Sequence, residues 1–177
     1  EKHGILDTFV SVIAKDENAE HKILAIQACS VWLNAEPWEM EARLLTADAL
    51  DVLSTAFEFS VKNKHNINGE STLNNLAKLV GESARLSRAI AEKGVVPKVL
   101  SVLDETSRLN AITSTKSTAG AKLAALKCLG HLVEHSDDPK EIIREHKLRE
   151  KLTNISMSKN EVIVAQLTEK LMRRLNF

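Results

Sequence analysis

Apolar residues return at three- and four-residue spacing along most of the chain, the signature of helices with one buried face. The clearest stripe runs from Ala119 to His135 through Leu123, Leu126, Leu129, Leu132 and Val133. Ala124, Ala125, Cys128 and Gly130 lie between these, small enough to let a neighbouring helix approach closely. A second run covers Lys22 to Leu33, with Leu24, Ala25, Ala28, Val31 and Trp32. The same spacing predicts helices over Met40 to Leu53, Thr72 to Val80, Leu86 to Ala91, Val96 to Leu103, Glu141 to Lys151 and Val162 to Leu175.

Punctuation between these runs follows the rules of helix ends. Gly94, after Ala91-Glu92-Lys93, suits a left-handed corner, and Pro97 fits the first turn of the next helix. Gly4 ahead of Ile5-Leu6 has the same look. Pro37 and Asp138-Pro139 mark further joints, with Asp138 placed to cap the next helix. Two polar stretches, Lys62 to Gly69 and Asp104 to Thr118, read as loops; the second is rich in Ser and Thr and suited to motion or modification.

The chain also repeats itself. Leu76–Gly94 moved 53 residues forward lies on Leu129–Lys147 without a gap, and six of nineteen positions are identical: Leu76, Leu79, Val80, Ser83, Ile90 and Glu92. Each copy is the end of a long helix, a turn and a short helix. Helix starts near Gly4, Ala47, Gly94 and Lys147 are separated by 43, 47 and 53 residues, close to the roughly 40–47 residues of two- and three-helix repeats.

Composition narrows the function classes. With only 6 Gly and 3 Pro, the chain has little material for hairpins, so an all-α fold is expected. Lys and Arg together number 24, matched by 24 Asp and Glu, which removes the simplest electrostatic case for nucleic acid or membrane binding. The charge is unevenly spread, at −7 over residues 1–60, +3 over 61–139 and +4 over 140–177. Cys29 and Cys128 sit in apolar helical runs far apart, which points to free buried thiols in a reduced, cytoplasmic setting. No apolar run approaches the roughly 20 residues of a membrane span, and no signal peptide is visible. A first residue of Glu rather than Met points to a segment of a longer polypeptide.

With the repeat in view, the chain resembles the armadillo family. The segment Ile90-Ala91-Glu92-Lys93-Gly94-Val95-Val96-Pro97-Lys98-Val99-Leu100 is similar to that family's passage from its short first helix into its second. Ala124-Ala125-Leu126-Lys127-Cys128-Leu129-Gly130-His131-Leu132 is similar to its long third helix, and Gly4-Ile5-Leu6 with Ile23 to Asn34 follows the same plan more loosely. About three and a half repeats would cover the chain, divided near 1–36, 37–82, 83–136 and 137–177, with HEAT repeats the structural alternative. The resemblance implies a right-handed α-solenoid that is not an enzyme and holds a partner on the concave face of its stacked third helices.

In importin-α-like and catenin-like members, an Asn ladder clamps the partner's backbone and a Trp one turn earlier sandwiches its side chains. The positions matching the Asn are Val31, Lys78 and His131, and those matching the Trp are Gln27, Asn74 and Lys127. None carries the family residue, so recognition of a nuclear-localisation peptide by that ladder is not expected. The expected binding face instead comprises Asn74, Asn75, Lys78, Lys127, His131 and Arg173, mixed polar and basic residues suited to an acidic or helical protein surface. Trp32 and Trp38 flank the Pro37 turn and are expected to pack in the core or over the joint, although a Trp can also anchor an interface.

Chemical motifs are few. His131-Leu132-Val133-Glu134-His135 matches the H-x-x-E-H pattern of inverted zinc peptidases, where two His one turn apart hold zinc and Glu is the base. No third ligand is identifiable, Leu132 and Val133 continue the core stripe, and the aligned copy reads Lys78-Leu79-Val80-Gly81-Glu82. The match is therefore read as chance, and no metal or cofactor is expected. Gly120-Ala121-Lys122 and Gly69-Glu70-Ser71 lack the further glycines and preceding strand of a phosphate loop. There is no G-x-S-x-G elbow for a nucleophile. The basic end, Lys170 to Phe177 with Arg144, Lys147, Arg149 and Lys151, is read as a solvated last turn favoured by the helix dipole.

The expected function is thus a scaffold or adaptor module that binds a protein, with no small-molecule substrate. Self-association is the alternative among binding modules, and a helical-repeat nucleic-acid binder is the alternative from another class, recognisable by steep salt dependence.

Overall fold

The computed structural model describes residues 2–104, 117–158 and 161–177. Within them the chain is all-helical. Eleven helices follow in order: α1 Lys2–Lys15, α2 Ala19–Ala35, α3 Pro37–Leu44, α4 Ala47–Lys62, α5 Ile67–Gly81, α6 Ala84–Glu92, α7 Val95–Leu103, α8 Ala119–Glu134, α9 Pro139–Glu145, α10 Leu148–Ser156 and α11 Val162–Arg174.

Local sequence explains most of the boundaries. A side-chain oxygen accepts one of the orphan amides at the start of five helices. Asn18 takes Glu20 N, Asn66 takes Asn68 N and Gly69 N, Ser83 takes Leu86 N, Thr118 takes Ala121 N, and Asp138 takes Glu141 N. Gly94 adopts φ 72°, ψ 30° and turns the chain from α6 into α7, with Pro97 in the first turn of α7. At the aligned position Lys147 does the same job between α9 and α10, at φ 49°, ψ 42°.

Several expected elements change. Met40 to Leu53 is two helices, because the chain breaks at Leu45-Thr46, where Arg43 reaches over to Thr46 Oγ1 (2.7 Å) and the Asp48 carboxylate. The apolar stripe continues across that break and conceals it. Glu141 to Lys151 divides at the left-handed Lys147 for a like reason. The polar stretch from Lys62 shrinks to a short turn, because Asn66 caps a helix that already includes Gly69. Gly4 lies inside α1 instead of ahead of it. The Ser/Thr-rich stretch expected as a loop falls mostly in residues 105–116, outside the described residues.

Five pairs of helices three apart in order lie side by side. α2 packs on α5, α5 on α8 and α8 on α11, while α1 packs on α4 and α4 on α7. The two rows face each other through the pairs α1–α2, α4–α5, α7–α8 and α10–α11. The core is continuous between them, from Leu6 and Ile26 through Phe57, Leu73 and Leu76 to Leu126, Leu129, Leu132 and Leu152. Each such buried side chain contributes about 1.5–3 kcal/mol. The small residues of α8 are used as their size suggests: Ala124, Ala125 and Cys128 are buried, and a Cβ on Gly130 would stand 3.1 Å from Leu171 Cδ1 of α11. Lys122 is also buried in α8, at 3% exposure, and its ammonium donates to both Glu161 oxygens at 2.8 and 2.7 Å. No helix among the described residues is long and apolar enough to cross a membrane.

Candidate functional site

Positions one repeat interval apart on α2, α5 and α8 all keep some exposure to solvent. Gln27 and Lys127 are exposed and Asn74 is half-buried; Val31 and Lys78 are exposed and His131 is half-buried. Asn74 and Lys127 share one depression between α5 and α8, lined also by Glu70, Ser71 and Leu123. Its far wall is fixed by Thr118, whose hydroxyl donates to Glu70 Oε2 at 2.6 Å while its backbone begins α8. Two of the expected binding residues stand apart from this group. Asn75, next to Asn74 in sequence, is rotated by a helical step into the packing and is only 8% exposed. Arg173 is exposed on α11 and pairs along its own helix with Glu169 at 3.8 Å. It is Arg174 that reaches back to α8.

A polar line crosses this helix row nearer the helix C-termini. Asn34 Nδ2 of α2 donates to Glu82 Oε2 at the end of α5, at 2.9 Å. Gly81 leaves room for the imidazole of His131, whose Nε2 would be 2.9 Å from a Cβ placed there. Arg174 of α11 forks onto Glu134 of α8, with Nε donating to Oε1 at 2.8 Å and a terminal amino group to Oε2. Each long helix in the row is thereby tied to the next by a polar or close contact at its end.

The last turn of α8 concentrates the chemistry. His131, Glu134 and His135 are all half-buried, and one donor atom from each lies within 4.8 Å of the others. The two imidazoles stack with centroids 6.4 Å apart and planes 9° from parallel. Burial holds the His131 pKa below its ordinary value, the positive charges of Arg174 and His135 add to the effect, and Glu134 and Glu82 oppose it. From the other side, Arg88 of α6 donates through Nε to the His135 carbonyl at 3.3 Å and pairs with Asp137 at 3.1 Å. Sequence spacing identifies the two His and Glu134, but Glu82, Arg88 and Arg174 are distant in the chain and only the fold reveals them.

Elsewhere, Trp32 meets expectation in part: it is half-buried, with Phe9 edge-on at 6.1 Å and 73°. Trp38 does not cover its joint and is 84% exposed. Phe9 and Trp32, with Leu24, Ala28, Val31 and Ala35, border an apolar groove on the side of α2 that faces away from α5. Both cysteines are buried and free. Loss of solvation pushes the Cys29 thiol up to about 12 and the Cys128 thiol further still.

No model of a known protein family matches the chain, and no solved structure does. Curated relatives exist among plant kinases. MAP3K epsilon protein kinase 1 of Arabidopsis thaliana is 26% identical over 183 residues, covering 98% of this chain and 12% of that protein. Its namesake in Brassica napus is 25% identical, and MAP3K epsilon protein kinase 2 of Arabidopsis thaliana 24%, with 98% of this chain covered in each case. The chain is similar to a segment of these kinases. It spans about an eighth of the length of the curated relatives it matches. Neither the His-Arg-Asp nor the Asp-Phe-Gly tripeptide of a protein-kinase catalytic domain occurs in it.

Proposed function

We propose that the chain is a non-enzymatic protein-binding module, an armadillo-like right-handed solenoid that receives a partner across the open side of α5 and α8. One observation carries this reading: residues one repeat apart, 27, 74 and 127 and again 31, 78 and 131, all keep some exposure to solvent on one row of stacked helices. Such a stack buries its core between neighbours and leaves a long surface for a partner. Lys78 and Lys127 make the middle of that surface basic, which favours an acidic or helical protein segment. The similarity to a segment of much longer kinases fits a docking role beside a catalytic domain located elsewhere. The repeat divisions near residues 36, 82 and 136 fall between α2 and α3, α5 and α6, and α8 and α9, which suits this architecture. A reducing cytoplasmic setting agrees with two free buried thiols.

The test is affinity capture from cytosolic extract with three baits: the wild type, Lys78→Glu/Lys127→Glu, and Lys140→Glu/Arg144→Glu on α9. A partner retained by the wild type and the α9 variant but lost with Lys78→Glu/Lys127→Glu supports the reading. Equal capture by all three overturns it.

Self-association is a second reading, favoured by the groove on α2, where Leu24 is 60% and Val31 64% exposed. Sedimentation velocity over a concentration series separates the two. A mass that rises with concentration, and stays monomeric in Val31→Lys, places the interface on α2.

A further inference from the structure

We propose that the last turn of α8 binds a divalent first-row transition ion, with zinc the natural occupant, through His131, His135 and Glu134. The proposal rests on how these donors are held. Residues at i, i+3 and i+4 share one side of a helix, so the backbone of α8 alone sets the three side chains together. Their donor atoms already lie within 4.8 Å of one another. A tetrahedral zinc site needs nitrogen donors about 3.4 Å apart, given Zn–N bonds of about 2.0–2.1 Å. Side-chain rotations close that difference, and they also have to turn the two rings out of their near-parallel stack, 9° apart, so that one nitrogen of each points at the ion.

Two imidazoles and one carboxylate form a mixed N and O donor set suited to zinc, copper, nickel and cobalt, and unsuited to calcium or magnesium, which take oxygen. Glu134 is oriented from outside: Arg174 holds both its oxygens from α11. A carboxylate has about four lone-pair directions, so it can keep Arg174 and still reach an ion. Support of this kind is what fixes the ligands of metal sites in general. Gly81 supplies room on the α5 side, since any larger residue would press on His131 Nε2.

Charge favours the same occupant. The groups around the turn are Glu82 from α5, Arg88 from α6, Arg174 from α11, and Glu134 and Asp137 beside the His pair. With neutral imidazoles, three carboxylates face two guanidinium groups, leaving the turn net negative. The negative end of the α8 dipole adds to this. Three protein donors leave at least one coordination position for water or for a donor from a docked molecule. A metal-binding turn on this helix row is thus independent of the partner-binding reading, and its test involves the ion alone.

The experiment is calorimetric titration of the untagged, chelator-treated full chain with ZnCl2, repeated with NiCl2. The expected result is one ion per chain, with affinity falling at least ~10-fold in His135→Ala and in His131→Asn, and less in Glu134→Gln. Circular dichroism confirms that each variant keeps its helices. Cu2+ added to the same chain serves as a spectroscopic reporter: electron paramagnetic resonance is expected to show two equatorial imidazole nitrogens, and one after either His is replaced. Zinc binding in the folded His131→Asn/His135→Ala double variant as tight as in the wild type overturns the proposal. So does a wild type that takes up no zinc at micromolar concentration.

Discussion

At the residue scale, two glycines test how close approach is built. A Cβ on Gly69 would stand 2.1 Å from the Asn63 carbonyl oxygen, a backbone atom with no freedom to retreat. Helix propensity alone would favour Ala over Gly by up to about 1 kcal/mol, yet the clash wins, and Gly69→Ala is expected to destabilise by about 2 kcal/mol in urea unfolding. At Gly120 the obstruction, equally close, is the end of the Glu70 side chain. That carboxylate can swing away at the cost of its bond from Thr118, so Gly120→Ala is expected to change stability by less than about 1 kcal/mol. A reversed order in the two unfolding midpoints would refute this account. The cysteines make a simpler prediction. With Cys29 pushed up to about 12 and Cys128 beyond it, the native chain at neutral pH is expected to leave an aromatic disulfide reagent unreduced over minutes, and to release two equivalents of thiol once unfolded.

Among elements, the paired corners separate backbone strain from packing. Nothing lies within 4 Å of a Cβ added to Gly94, so Gly94→Ala tests the left-handed backbone alone and is expected to cost about 1–2 kcal/mol. Lys147 already bears that strain at φ 49°. Lys147→Gly is therefore expected to raise the melting temperature while Gly94→Ala lowers it. The last turn of α8 adds a pH dependence. The His131 pKa lies below the ordinary histidine value because of burial and then Arg174, so the unfolded chain binds the proton more readily than the folded one. Stability then rises with pH in the window just below about 6.5, and this contribution is lost as pH falls through it. His131→Asn is expected to flatten the urea midpoint between pH 7 and pH 5; an unchanged slope would show that the dependence does not come from His131.

These elements also show what a sequence can and cannot display. Helices with capped starts and a two-fold echo of Leu-x-x-Leu-Val are legible because their causes are local: a stripe, a cap, a corner at Gly94. The break at Thr46 is hidden because the same stripe runs on across it, and only the reach of Arg43 to Asp48 shows that the chain has turned. Asn75 is expected on the binding face alongside its neighbour Asn74, but a helix rotates by about 100° per residue and carries it into the packing. Pairs such as Glu134 with Arg174 or Asn34 with Glu82, separated by 40 and 48 residues, leave no local pattern.

For the whole molecule, the order of contacts predicts how it comes apart. Each helix of the α2–α5–α8–α11 row packs chiefly on its neighbours in that row and on its counterpart in the other. A cavity at one end should then loosen that end first. Leu171 is 4% exposed and sits against Gly130. Leu171→Ala is expected to cost about 2–5 kcal/mol locally, seen as faster amide exchange in α10 and α11 with α2 and α5 protected as before. Uniform acceleration across all four would instead show that the chain unfolds as one unit.

The same serial arrangement governs how the molecule would answer a load. Springs joined end to end add their compliances, so a force applied between α2 and α11 is felt in full at each interface between them, and the weakest yields furthest. At the α8–α11 junction Leu171 packs on Gly130, flanked by the Arg174–Glu134 pair at one end and Lys122–Glu161 at the other. Those two ionic clasps make the junction a hinge pinned on both sides, stiff against opening and free to twist only as far as both pins allow.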